Sequence, residues 1–98
     1  AIKFVCETEG LNFREAVERQ LHYFEEELTE DLIRLSALHH STLYEPRLAA
    51  KAITRLVFAM GATAMDIPRD RHLEIIRQTT TMVRMILVGA ETMQHHKA

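Results

Sequence analysis

Apolar residues recur at helical spacing through most of the chain. Phe13, Val17, Leu21, Phe24, Leu28, Leu32 and Leu35 follow one another at steps of three or four, one straight stripe over six turns. The opposite face takes Arg14, Glu18, Glu25, Glu26 and Arg34. Asn12 is placed as the N-cap of this long helix, and Glu15, three positions on, completes a capping box. The pattern fades near His39-His40, and Ser41, Thr42 and Leu43 read as a loop. A second helix is predicted from Pro46 to Met65, with Pro46 in the first turn, where its missing N–H costs nothing. A third is predicted from Arg69 to Gln94. Only Asp66, Ile67 and Pro68 lie between, with Asp66 as its cap and Pro68 in its first turn. So short a connection makes the last two helices antiparallel neighbours.

The last helix carries two adjacent apolar stripes. One is Leu73, Ile76, Thr80, Val83 and Leu87; the other is Ile75, Thr79, Met82, Ile86 and Met93. One packing partner covers a single stripe of about 100°, so this hairpin asks for a second subunit. Strand signals are nearly absent, as are repeats and low-complexity tracts. The predicted fold is therefore all-α: a partial helix and three long ones, the last two forming an antiparallel hairpin that dimerises as a four-helix bundle. The partial helix is residues 1–9. Nothing caps its start, and Gly10 sits where a helix C-terminus favours a left-handed residue. Read so, the chain opens mid-helix, as a fragment of a longer protein would; a frayed start is the alternative.

Composition narrows the function classes. At 98 residues the chain is one domain, and 47% apolar with 27% charged residues is ordinary globular usage. Net charge is −2, from 12 basic and 14 acidic residues, which argues against this segment itself gripping DNA. The single cysteine, Cys6, forms no internal disulfide, so a reducing cytoplasm is the expected compartment. No uninterrupted apolar run of about 20 residues and no signal peptide is seen, so neither a membrane span nor a targeting segment is expected.

Candidate chemistry is sparse. His39-His40 and His95-His96 are adjacent pairs that point about 100° apart on a helix and do not share one ion. Glu18 and His22 lack the second Glu and His that a carboxylate di-metal bundle needs. The run Glu25, Glu26, Glu27, Glu30, Asp31 spreads around the helix, the mark of a solvated face, with Glu27 and Asp31 one turn apart beside Leu28 and Leu35. No Gly-rich phosphate loop, nucleophile elbow or zinc motif appears. No catalytic residue, cofactor or metal is expected, and the chain is not read as an enzyme. Arg84 interrupts Met82-Val83 and Met85-Ile86-Leu87. Its stem is expected among apolar neighbours, with its head snorkelling outward, pairing with Glu91 or Asp66, or meeting an acidic ligand group. Gly61, among Ala59, Ala62 and Ala64, costs about 1 kcal/mol in a helix interior, which suggests close approach of a backbone or ligand. Met60, Met65, Met82, Met85 and Met93 suit either plain core or a flexible apolar ligand.

Four stretches in order carry a family resemblance: a helix tail ending in Glu7-Thr8-Glu9-Gly10, then Phe13-Arg14-Glu15-Ala16-Val17 with His22-Tyr23-Phe24, then Leu56 to Asp66, then Val83-Arg84-Met85-Ile86-Leu87-Val88-Gly89-Ala90. They resemble the C-terminal effector-binding and dimerisation domain of TetR-family transcriptional repressors. The likeness is greatest to the branch that regulates unsaturated fatty acid synthesis, the FabR- and DesT-like repressors. The resemblance implies a homodimer built by a four-helix bundle and a cytoplasmic regulator. It also implies an effector pocket between the long helix and the hairpin, taking a long acyl chain as an acyl-CoA or acyl carrier protein thioester. It implies operator DNA bound only through an N-terminal helix-turn-helix domain, for which no basic three-helix segment is seen ahead of Ala1. Phe24, Leu28, Phe58, Gly61, Met82 and Arg84 are the effector-pocket candidates; Leu56, Met60, Ala64, Ile76, Val83 and Leu87 are the dimer-interface candidates. A ligand-free structural bundle that only dimerises is the competing reading.

Overall fold

The computed structural model describes residues 10–96, and these are helical with no strand among them. Three helices follow in order: α1 (Gly10–Leu38), α2 (Pro46–Met65) and α3 (His72–His96), the last preceded by a 3-10 turn, Arg69–Arg71. The expected boundaries of α2 match residue for residue. The readings placed on residues 1–9, including Cys6, lie outside the described residues.

Helix α1 departs from expectation at its start. Gly10 is already helical, and no described glycine has a positive φ. Asn12 therefore lies inside the helix rather than capping it. A capping box is a local signal, and it acts only where the backbone leaves the helix. The other end is as the pattern predicts, with a clear cause. His40 takes the left-handed region (φ 55), the role glycine usually fills. His40 N–H then donates to Ala37 O (3.1 Å) and Ser41 N–H to Ser36 O (2.9 Å), which closes the last turn.

Glu45, also left-handed (φ 47, ψ 65), turns the chain into α2. Its carbonyl accepts from Leu48 and Ala49, and Pro46 fills the first turn. At the far end Asp66 is the C-cap of α2, its N–H donating to Thr63 O, so it does not cap the last helix as expected. Pro68 sits one residue outside the 3-10 turn in extended backbone (ψ 148), not within the first turn. The orphan carbonyl of Ala64 is satisfied by Ile67 N–H and by His72 Nε2 at 2.8 Å.

Helix α2 is the middle element and packs on both α1 and α3. The core is a cluster of Leu32, Ala49, Ala50 and Ala90, with Leu28, Leu43, Ile86 and Leu87 packed on it, so all three helices meet near the 39–45 loop. Tyr44 N–H donates to Ala90 O (3.0 Å) and ties that loop to α3. Elsewhere the bundle is open. Radius of gyration is 16.4 Å, against about 13 Å for a compact chain of this length. Accessible surface is 7803 Å², against about 5,700 Å² for a compact monomer of this mass. Leu73 (77% exposed) and Met65 (86%) lie at the tip of the hairpin.

Candidate functional site

Helices α1 and α2 diverge away from the core, and the space between them is a groove of about 1040 Å³. On α1 it is lined by five residues of the apolar stripe, Phe13, Val17, Leu21, Phe24 and Leu28, with the polar Gln20 and Asp31 along the same side. Ala16 and Glu27 flank that line. On α2 the wall is Ile53, Thr54, Val57 and Phe58. The stripe is thus buried at Leu21 and Leu32 but open at Phe24 and Leu35, with the rings of Phe24 and Phe58 half-exposed over the groove. Tyr23 stacks edge-on with Phe24, ring centroids 6.1 Å apart. Glu27 accepts a hydrogen bond from the Tyr23 hydroxyl, which raises the phenol above its ordinary pKa. Asp31 is held 3.1 Å from Arg34. Among the described residues Arg19 is the one cation in the lining.

An ion-pair network fastens the same two helices. Arg55 donates through Nε to Glu25 (2.8 Å) and through Nη1 and Nη2 to Glu18 (3.1 and 2.8 Å), so it spans two turns of α1. Arg47 donates to Glu26 at 2.8 Å. The Arg55 hydrogen bonds hold the Glu18 carboxyl below its ordinary pKa, and Arg47 does the same for Glu26. His22 lies 3.6 Å from Glu25 and 3.7 Å from Glu26. These contacts correct the expected solvated face: Glu25 is only 8% exposed, and Glu18, Glu25 and Glu26 face α2 rather than away from it. Thr29, also buried, donates to Glu25 O at 2.6 Å. A polar cleft beside this network is lined by Arg14, Glu15, Glu18, Arg19, Lys51 and Arg55, with His22 and Glu25.

The expected site residues divide between these places. Phe24, Leu28 and Phe58 line the groove; Gly61, Met82 and Arg84 do not. Gly61 is exposed, and a Cβ added there would meet nothing within 4 Å in this chain. Arg84 is exposed and makes no ion pair among the described residues, with neither Glu91 nor Asp66 as partner. Met82 is half-buried on α3. Leu56, Met60, Ala64, Val83 and Leu87 are half-buried along α2 and α3, and Ile76 is exposed. Arg19 and Arg55 were legible only in part. Arg55 interrupts the apolar run Ala52 to Phe58, a signal of the same kind as Arg84, while Arg19 lies off the stripe and carries none. Among the described residues no three His, Cys, Asp or Glu side chains gather as a metal site would require.

Helix α2 is long and apolar enough to cross a membrane by length and composition alone, although no membrane span was expected from the sequence. Its Arg55 is committed to Glu18 and Glu25 of α1, and Ala49, Ala50 and Ile53 are buried in protein. These contacts hold one side of α2 in protein, while Leu48, Val57, Phe58 and Met65 remain exposed.

Against known proteins, the chain is 29% identical over 79 residues to an uncharacterised HTH-type transcriptional regulator of Haemophilus influenzae. The match takes in 81% of the chain but 37% of that protein, so the chain spans little more than a third of its relative. No protein-family model and no solved structure matches the chain.

Proposed function

We propose that this chain is the ligand-sensing and dimerisation part of a TetR-type transcriptional regulator that responds to a fatty acyl thioester, as an acyl-CoA or an acyl carrier protein conjugate, and so controls lipid synthesis genes. The observation that carries the reading is the α1–α2 groove: it is apolar along its floor, long, and built on the face that α1 fails to bury. A groove of this volume is the size at which proteins take small molecules. Ligand binding wedges α1 against α2, and in the whole regulator that shift alters the spacing of two helix-turn-helix readers on operator DNA. The regulator is a cytoplasmic homodimer, paired through the open face of the α2–α3 hairpin, where Leu73, Ile76 and Met65 are left uncovered. Burying about 2,000 Å² or more is characteristic of an obligate dimer, and the chain's surplus of exposed surface over a compact monomer is of that order.

Two measurements test this. In sedimentation at micromolar concentration the chain runs as a dimer; a monomer of 11.3 kDa overturns the dimer. Thermal melting with oleoyl-CoA at about 100 times its Kd adds about 2.7 kcal/mol, a shift plainly seen in a domain this small. Dimerisation without any acyl-dependent shift favours the second reading, a ligand-free helical dimerisation module, for which the uncovered hairpin face is the supporting observation.

A further inference from the structure

The charges around the groove are not evenly placed. Its two carboxylates, Glu27 and Asp31, lie toward the C-terminal half of α1, while its one cation, Arg19, lies two to three turns earlier. From Arg19 to Asp31 is about 18 Å along the helix axis. Arg19 also borders the polar cleft, where Arg14 and Lys51 add positive charge. There Glu18 and Glu25 are taken up by Arg55, which leaves Glu15 as the opposing carboxylate. Arg14, Arg19 and Lys51 make no ion pair among the described residues. Asp31 is balanced by Arg34, and Glu27 accepts the Tyr23 hydroxyl, so neither calls for a cationic ligand group.

We infer that the groove takes a single-chain amphiphile with an anionic head, held by Arg19 with Arg14 and Lys51 nearby, its tail running along Val17, Phe24 and Leu28 toward the closed end of the bundle. This rests on the ligand reading of the groove and goes beyond it in giving the ligand a direction and a head-group residue. Arg84, the cation the sequence singled out, stands outside the groove. An arginine recognises a carboxylate or phosphate with paired, charge-assisted hydrogen bonds. Glu27, at the other end, repels the same head and so fixes the orientation.

The test compares oleate with oleyl alcohol, which has the same chain and no charge, by titration calorimetry below the concentrations at which either aggregates. Wild type is expected to bind both, oleate more tightly. Arg19→Gln is expected to weaken oleate about tenfold while leaving oleyl alcohol unchanged, as loss of one charged hydrogen-bond partner should, and Arg19→Lys, which returns the charge without the paired donors, is expected to restore only part of the affinity. Glu27→Gln is expected to leave oleate binding equal or tighter. If Arg19→Gln weakens both ligands equally, or neither, the head-group assignment is overturned while the groove reading survives. If wild type binds neither ligand, the groove reading fails and takes the assignment with it. Conversion of a dimer to monomer by Phe58→Glu, without lipid binding by wild type, would show instead that a second copy fills the groove.

Discussion

Near the 39–45 loop, Ala50 is fully buried, three helices share one cluster of small and branched side chains, and Tyr44 N–H ties the loop to α3. At the other end the same helices carry large apolar side chains into the open: Phe24 and Phe58 over the groove, Met65 and Leu73 at the hairpin tip. Small residues let backbones close together; large residues without a partner keep surface in reserve. The loop end holds the buried cluster, though Leu38 and Leu48 beside it are exposed too, and the other end leaves its aromatic side chains half-exposed.

Mutation at the closed end should then have the largest effect on folding. Leu32→Ala removes a buried side chain from the cluster and is expected to cost about 2–5 kcal/mol, read as a lower urea midpoint at unchanged slope. Phe58→Ala at the open end is expected to cost well under that, because the ring is 54% exposed. Equal losses at the two positions would break the distinction, since they would mean that the groove end is packed as tightly as the loop end.

The ion pairs sit between the two ends, and their contribution depends on pH. Arg55 lowers the folded pKa of Glu18 below its ordinary 4.5. A group depressed in this way stabilises the fold above its unfolded pKa and loses that contribution as pH falls through its folded value. Arg55→Met is therefore expected to melt below wild type at pH 7. The two curves should draw together as the medium is taken down to about pH 3, while Glu26 and Glu74, paired with Arg47 and Arg77, still give both proteins some acid lability. A constant gap in melting temperature from pH 7 to pH 3 would show that Arg55 acts through the packing of its stem and not through its charge.

What was legible in the sequence follows the same division. Helix α2 could be bounded to the residue because Pro46 and Pro68 punctuate it and the chain obeys the backbone rules of proline. The stripe on α1 was legible because periodicity reports which face leaves water. It could not report that Phe24 and Leu35 on that stripe stay half-exposed, since that depends on where α2 diverges. The pairing of Glu18 and Glu25 with Arg55 was also hidden: 30 or more residues separate the partners, and only the rotation of α1 against α2 brings them together. The acidic run looked solvated because charge usually is; Glu25 is the exception, buried and paired with the partly exposed Arg55. Phe24, Leu28 and Phe58, large apolar residues at helical spacing, lie on the groove wall. Met82 and Arg84, singled out by their chemistry, lie on α3 and do not line the α1–α2 groove.

The smallest expected effect sharpens the comparison at the open end. Its small-residue run, Ala59, Gly61, Ala62 and Ala64, invites the idea of close approach at Gly61. Among the described residues nothing approaches: a Cβ at Gly61 meets no atom within 4 Å, and the residue is exposed on α2. What remains is the backbone cost of glycine in a helix interior. Gly61→Ala is thus expected to raise stability by about 1 kcal/mol, and Gly61→Leu to do nearly as well, because both favour helix and neither meets an obstacle. Chemical denaturation of the two variants beside wild type checks this. A gain for alanine with a loss of several kcal/mol for leucine would reveal an overpacked contact that no single chain supplies. A second copy would then have to lie against Gly61, and the dimer face would extend from the hairpin tip down this side of α2.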